Sequence, residues 1–165
     1  MKNKNLWIVC GVPGSGKSTW LHDRMNREPH SVIVSRDEIR FRLLDDNDEY
    51  FSKEDEVFAQ FIQLAEGLLT EPYIYDVYMD ATHLNAKSRN KTLNAFKNLN
   101  NISINAIYFD VPMDVCLERN EQRTGRAFVP RGVIRRMNAT YFPPTKNEKF
   151  DTILKVDKDG QVSNV

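Results

Sequence analysis

The chain has 165 residues, 41% hydrophobic and 28% charged, with 23 Lys and Arg against 23 Asp and Glu. Those values fit one globular domain with a core, and no apolar run approaches the roughly 18 residues that a membrane span needs. A formal net charge of zero argues against a large non-specific nucleic-acid footprint but leaves room for a local basic groove.

The run from Met1 to Leu6 leads straight into an apolar stretch and lacks a secretory pattern, so a cytoplasmic protein is expected. Leu6 to Cys10 reads as a short buried parallel strand. Gly11-Val12-Pro13-Gly14-Ser15-Gly16-Lys17-Ser18-Thr19 then fills G-x-x-x-x-G-K-[ST] at every fixed position. Its glycines can turn successive backbone N–H groups inward around an anion, and the helix starting near Lys17 aims its positive end at the same place. Lys17 can reach the terminal phosphates of a nucleoside triphosphate, and Ser18 can ligate Mg²⁺. A strand before the motif and a helical Leu21/Met25 pair after it argue against a chance match.

Pro29 ends that helix, and Ser31 to Val34 reads as a second strand. Ser35-Arg36-Asp37-Glu38 has capping-box spacing, so a helix with Ile39, Leu43 and Leu44 on one side is expected there. Asp37 and Arg40 then carry two readings. Either Asp37 complements the helix dipole and pairs with Arg40, or it accepts the proton of an attacking hydroxyl while Arg40 holds an acceptor phosphate. The acidic run Asp45 to Glu49 reads as a solvated loop. Ser52 marks another helix start, followed by Val57, Phe58, Phe61, Ile62, Ala65, Leu68 and Leu69 at core spacing.

After Pro72, Tyr73 to Met79 reads as a third strand ending at Asp80, a position suited to a carboxylate beside Mg²⁺. Thr82 and His83 follow, with His83 read most simply as a hydrogen-bonded histidine. Asn85 caps a helix to about Asn98, and Ile102 to Phe109 is a fourth strand, leaving Asp110 at its end. Pro112 opens a helix through Cys116 and Leu117, Gly125 to Pro130 breaks it, and Val133 to Tyr141 forms another. Phe150 to Val156 is the fifth strand, Asp157 to Gly160 a turn, and the tail is expected to fray. Cys10 and Cys116 lack C-x-x-C spacing and read as buried apolar residues.

Strands alternating with helices imply an α/β fold: a five-stranded parallel sheet covered on both faces, with ligands beyond the strands' carboxyl ends. Arg119, Arg123, Arg126, Arg131, Arg135 and Arg136 outnumber the local acids Glu118 and Glu121. The segment from about 119 to 136 therefore reads as a lid closing arginines over phosphates rather than a salt-bridged surface.

These residues resemble the P-loop polynucleotide 5′-kinase family of bacteriophage and bacterial end-healing systems. The likeness runs in order along nearly the whole chain: the loop, then Ser35-Arg36-Asp37-Glu38-Ile39-Arg40, then Asp80-Ala81-Thr82-His83-Leu84-Asn85. Asp110-Val111-Pro112 with Arg119-Asn120 and Arg123 resembles the family's lid approach, and Val129-Pro130 its lid exit. The resemblance implies one kinase domain over residues 1–165 that moves the γ-phosphate of ATP, or another nucleoside triphosphate, with Mg²⁺, onto a DNA or RNA 5′-hydroxyl. It assigns Asp37 as general base and Arg40, Thr82 and His83 to the acceptor. Gly11, Pro13, Gly14, Ser15, Gly16, Lys17, Ser18 and Thr19 go to the donor phosphates, and Ser18 and Asp80 to the metal. Arg119, Arg123 and Arg126 close from the lid, with Lys17 and Arg123 sharing in catalysis.

His83 departs from the asparagine usual at its place. Arg36, Arg40 and Arg42 suffice for a short acceptor end rather than a long duplex track. Any phosphatase or ligase acting with such a kinase is expected to be a separate protein. Two other functions stand beside this one: a kinase for a small metabolite such as a sugar acid or nucleoside, and a nucleotide-gated module using the acidic loop as a partner surface.

Overall fold

The computed structural model describes residues 3–165; Met1 and Lys2, at the head of the N-terminal run, lie outside them. Six strands form the sheet: β1 (Lys4–Cys10), β2 (Ser31–Ser35), β3 (Asp76–Asp80), β4 (Ile102–Asp110), β5 (Thr152–Asp157) and β6 (Val162–Asn164). Their spatial order is β2-β3-β1-β4-β5-β6, with β1 to β5 parallel and β6 antiparallel to β5. The helices are α1 (Lys17–Met25), α2 (Arg36–Leu43), α3 (Glu54–Thr70), α4 (Ala86–Phe96), α5 (Met113–Glu121) and α6 (Arg131–Ala139), with a 3₁₀ turn at Gly125–Ala127. No helix among the described residues is long and apolar enough to cross a membrane.

Alternation along β1 sorts the core into two layers. Leu6, Ile8 and Cys10 face Val57, Phe61 and Ala65 of α3 and Phe96 of α4. Val9 faces the other way, toward Leu21 of α1 and Ile107, Phe109 and Val156 of the neighbouring strands. Each large apolar side chain fully buried this way contributes about 1.5–3 kcal/mol, which fixes the register of the strands and hence of their ends.

The sheet has one strand more than the periodicity predicts. The expected frayed tail instead turns back along β5, pairing Leu154 with Asn164 and Val156 with Val162. The Asp157 carboxylate builds that turn by accepting the N–H groups of Asp159 and Gln161, both at 2.9 Å. β3 begins at Asp76 rather than Tyr73, because the N–H groups of Tyr75 and Asp76 both turn to the His30 carbonyl. α3 begins at Glu54, since the Ser52 hydroxyl bonds the Glu49 carbonyl (2.8 Å) instead of capping. α4 starts as its cap predicts: Asn85 accepts the Ser88 N–H at 3.1 Å and the Ser88 hydroxyl accepts the Asn85 N–H at 3.2 Å.

Candidate active site

The carboxyl ends of β1, β2 and β3 lie side by side, since Asp80 is in register with both Val9 and Ser35. From this edge the glycine-rich loop leaves β1. Gly16 closes it with φ 90° at the cap of α1, where no side chain accepts a first-turn N–H. Those N–H groups are therefore open to an anion. The Ser15 hydroxyl is likewise buried without a hydrogen-bond partner. Lys17 Nζ folds back on the carbonyls of Gly11 (2.8 Å) and Val12 (3.0 Å). Burial draws its ammonium below the ordinary lysine value; Asp80 opposes that shift and Arg123 adds to it. Pro13 is half-buried in the loop, and Thr19 stands exposed on the first turn of α1.

Ser18 Oγ donates to Asp80 Oδ2 at 3.1 Å, so two hard oxygen ligands stand together beside the loop. Burial raises the Asp80 carboxyl above its usual range, with the Lys17 charge pulling the other way. Among the described residues, no three His, Cys, Asp or Glu side chains gather into a metal cluster. That donor set fits Mg²⁺, which keeps several waters and takes one or two protein oxygens plus phosphate. A triphosphate beside Lys17 and a cation beside Asp80 would each add opposite charge to a group whose charged form burial disfavours.

Asp37 lies in the first turn of α2, whose cap is the Ser35 hydroxyl accepting the Glu38 N–H at 3.3 Å. Its side chain is 62% exposed, while its partner Arg40 is only 6% exposed. Arg40 bonds Asp37 Oδ1 through Nη1 and Glu54 Oε1 through Nε at 2.6 Å. Glu54 also takes Arg36 at 2.9 Å, and Tyr50 donates its hydroxyl to Asp37 Oδ1 at 3.0 Å. Partial burial and the Asp37 charge push the Tyr50 hydroxyl up to about 12, which keeps it protonated. The Asp37 charge also bears on both Lys17 and Asp80, so the carboxylate and the loop share one electrostatic neighbourhood.

The segment from about 119 to 136, read from the sequence as a lid, touches the glycine-rich loop through Arg119 and the acidic loop through Arg126. Arg119 reaches the Ser15 carbonyl at 3.4 Å and the Lys158 carbonyl at 2.8 Å. Among the described residues, Arg123 hydrogen-bonds within its own segment, to the Ala127 carbonyl at 3.5 Å. Arg126 meets the Leu44 and Asp45 carbonyls at 3.5 and 3.4 Å and Asp46 Oδ1 at 3.4 Å. Arg135 and Arg136 are exposed on α6, and Arg131 pairs with Glu121. The acidic loop is mostly exposed yet tied at two points, because Asp48 pairs with Lys53 at 2.9 Å and Asp46 with Arg126.

His83, expected among the residues that meet an acceptor, is instead enclosed in the protein. It is 3% exposed, with Nδ1 donating to the Val9 carbonyl at 2.7 Å and Nε2 accepting from Thr92 Oγ1 at 3.1 Å. With both ring nitrogens spent inside the protein, it holds the segment after β3 against β1. Thr82 is half-buried beside it, and its carbonyl accepts the Gly11 N–H at 2.9 Å. Asp110 ends β4, with its carboxylate 4.0 Å from Lys155 Nζ.

Two contributors were not legible from local sequence, and a third, Asn120, entered only as part of the resemblance, with no role assigned. Glu54 stands at a predicted helix start, and 14 residues separate it from Arg40. Tyr50 follows an acidic loop and carries no motif. Asn120, fully buried, clamps the lid by donating to the Val129 carbonyl at 2.6 Å and accepting the Val129 N–H at 3.0 Å.

Solved structures share this arrangement of elements. A chain of the Pnkp1/Rnl/Hen1 RNA repair complex superposes with a TM-score of 0.71 at 24% identity, over 85% of this chain and 44% of that one. A fungal RNA kinase gives 0.70 at 14% identity, over 98% and 77% respectively. A gluconokinase from Sinorhizobium meliloti 1021 gives 0.59 at 18% identity, over 95% and 84%. At these identities the likeness establishes the P-loop kinase fold, and the chain spans less than half of the RNA repair protein that it matches. The AAA domain family matches residues 6–144, from β1 through the lid and α6. This chain belongs to the AAA domain family.

Proposed function

We propose that this protein is a phosphotransferase that moves the γ-phosphate of ATP, or another nucleoside triphosphate, to the 5′-hydroxyl of a DNA or RNA end. The observation that carries this reading is Asp37: an exposed carboxylate, fixed by Arg40 and Tyr50, in the electrostatic reach of Lys17 and Asp80. Its protein bonds fall on Oδ1, so an incoming hydroxyl can give its proton to the carboxylate as it attacks. Arg40 uses Nε and Nη1 on protein, which leaves Nη2 for a phosphate of the acceptor.

The loop N–H groups, Ser15 and Lys17 would hold the donor phosphates, with Thr19 in the first turn behind them. Ser18 and Asp80 would hold Mg²⁺, which when bound neutralises charge on the phosphate oxygens. Arg119, Arg123 and Arg126 would exclude water and stabilise charge at the transferring group. The RNA repair complex and the fungal RNA kinase support a nucleic-acid end as acceptor, and the former supports separate repair enzymes as partners.

The test is transfer of labelled γ-phosphate with Mg²⁺ onto a 5′-hydroxyl oligonucleotide, alongside gluconate and free nucleosides. Transfer to the oligonucleotide is expected, falling by about 10²–10⁴-fold in Asp37→Asn while ATP still binds. Preference for gluconate or another sugar acid would replace this reading with a small-metabolite kinase.

A further inference from the structure

We propose that Tyr50 and Phe51 form a stacking platform for the nucleobase of the acceptor's terminal nucleotide. The proposal rests on the kinase reading above and names how its substrate is recognised. Two adjacent aromatic rings are exposed here, Tyr50 by 38% and Phe51 by 60%. They meet edge to face, with centroids 4.7 Å apart and planes at 83°. The Arg40 guanidinium lies 4.7 Å from the Tyr50 ring centre and 5.6 Å from that of Phe51. Phe41 supports Tyr50 from behind at 6.2 Å.

This exposure is built into the loop. Lys53 ties the loop to the Leu43 carbonyl at 2.6 Å and to Asp48 at 2.9 Å, and Asp48 accepts the Asp45 N–H at 2.9 Å. Glu54, just past the rings, is held by Arg36 and Arg40. The chain therefore holds a large apolar face in water beside the general base, where an exposed aromatic marks a binding surface.

The chemistry of the ligand follows from what adjoins the rings. Asp37 lies 3.0 Å from the Tyr50 hydroxyl, so the reacting hydroxyl and the platform are neighbours. Arg40 connects them with a cation suited to phosphate. A ligand with a hydroxyl, a phosphate and a π-face in that arrangement is a nucleotide; a sugar acid has no π-face to offer. Stacking on Phe51 tolerates any base, because each has a π-face.

Steady-state kinetics with two acceptors test this: a 5′-hydroxyl oligonucleotide with a normal terminal base, and one whose terminal sugar lacks a base. Phe51→Ala is expected to raise KM for the base-bearing acceptor about tenfold, with kcat and the KM for ATP little changed. The abasic acceptor should be poor for the wild-type protein and indifferent to the substitution, and Phe51→Trp should restore the wild-type KM. An equal KM in Phe51→Ala, or the same rise on the abasic acceptor, overturns the platform while leaving the kinase intact. If the wild-type protein phosphorylates no oligonucleotide, the kinase reading fails, and calorimetric binding of a nucleoside 3′-monophosphate against ribose 3-phosphate decides the platform separately. Binding that is tenfold tighter with the base, and lost in Phe51→Ala, upholds it; equal binding of the two ligands overturns it.

Discussion

His83 combines a positive φ of 40° with full enclosure, and both features trace to one task. Its ring bridges the Val9 carbonyl to Thr92, so the imidazole is useful only while neutral. Burial lowers its value from 6.5 to about 4, with the Val9 bond partly opposing. The sign follows from proton counts: between those values the unfolded chain binds a proton that the folded chain refuses. Stability from this group is therefore complete above pH 6.5 and is lost as pH falls toward 4, a total of about 3 kcal/mol at 1.36 kcal/mol per pH unit. His83→Asn keeps an amide donor for Val9 and suits the positive φ, but it cannot titrate. Urea unfolding from pH 7 to pH 4 should show wild type losing this amount relative to the variant. Parallel curves for the two proteins would mean that His83 is not buried neutral.

At the scale of elements, the phosphate loop depends on α5 as well as on its own glycines. Gly14 sits at φ 83°, and a β-carbon there would lie 2.2 Å from the Cys116 carbonyl oxygen and 2.9 Å from its carbon. Those are backbone atoms of a helix, so neither can rotate aside. Gly125, at φ 60° in the lid, has open space around the same added atom. Gly125→Ala should cost only left-handed strain, about 1–2 kcal/mol, whereas Gly14→Ala should cost about 1–3 kcal/mol more through overpacking. Gly14→Ala should also abolish the thermal shift given by ATP with Mg²⁺, which Gly125→Ala should preserve. Equal unfolding midpoints for the two would refute the contact. The motif announced the loop, because its spacing is dictated by phosphate geometry. Nothing in the sequence announced that Cys116, about a hundred residues away, forms its floor.

Across the whole molecule, the same divide separates what was legible from what was not. The sheet, its two covered faces and the strand ends follow from periodicities that neighbouring residues carry, so β1, β2, α4 and β4 lie close to their predicted places. The Asp37–Arg40 pair was visible as helical spacing. Glu54 and Tyr50 joined the site only through tertiary contacts, and the tie between Arg89 and Glu148 is likewise invisible to local sequence. That tie is the least exposed ion pair among the described residues, at 1% and 10% side-chain exposure. Arg89 grips both Glu148 oxygens, at 2.7 and 2.9 Å, and donates to the carbonyls of His83 (3.0 Å) and Phe142 (2.9 Å). It thereby binds α4, the segment after β3 and the approach to β5 into one body.

Removing one partner leaves a buried carboxylate and two carbonyls without their donor. Arg89→Met should therefore cost about 3–5 kcal/mol. Adding Glu148→Leu removes the stranded charge, so the double variant should regain at least about 1 kcal/mol, the two carbonyls remaining unpaired. Urea midpoints of the wild-type, single and double proteins measure both quantities. A single variant within about 0.5 kcal/mol of wild type, the range of ordinary surface changes, would show that the tie holds nothing together.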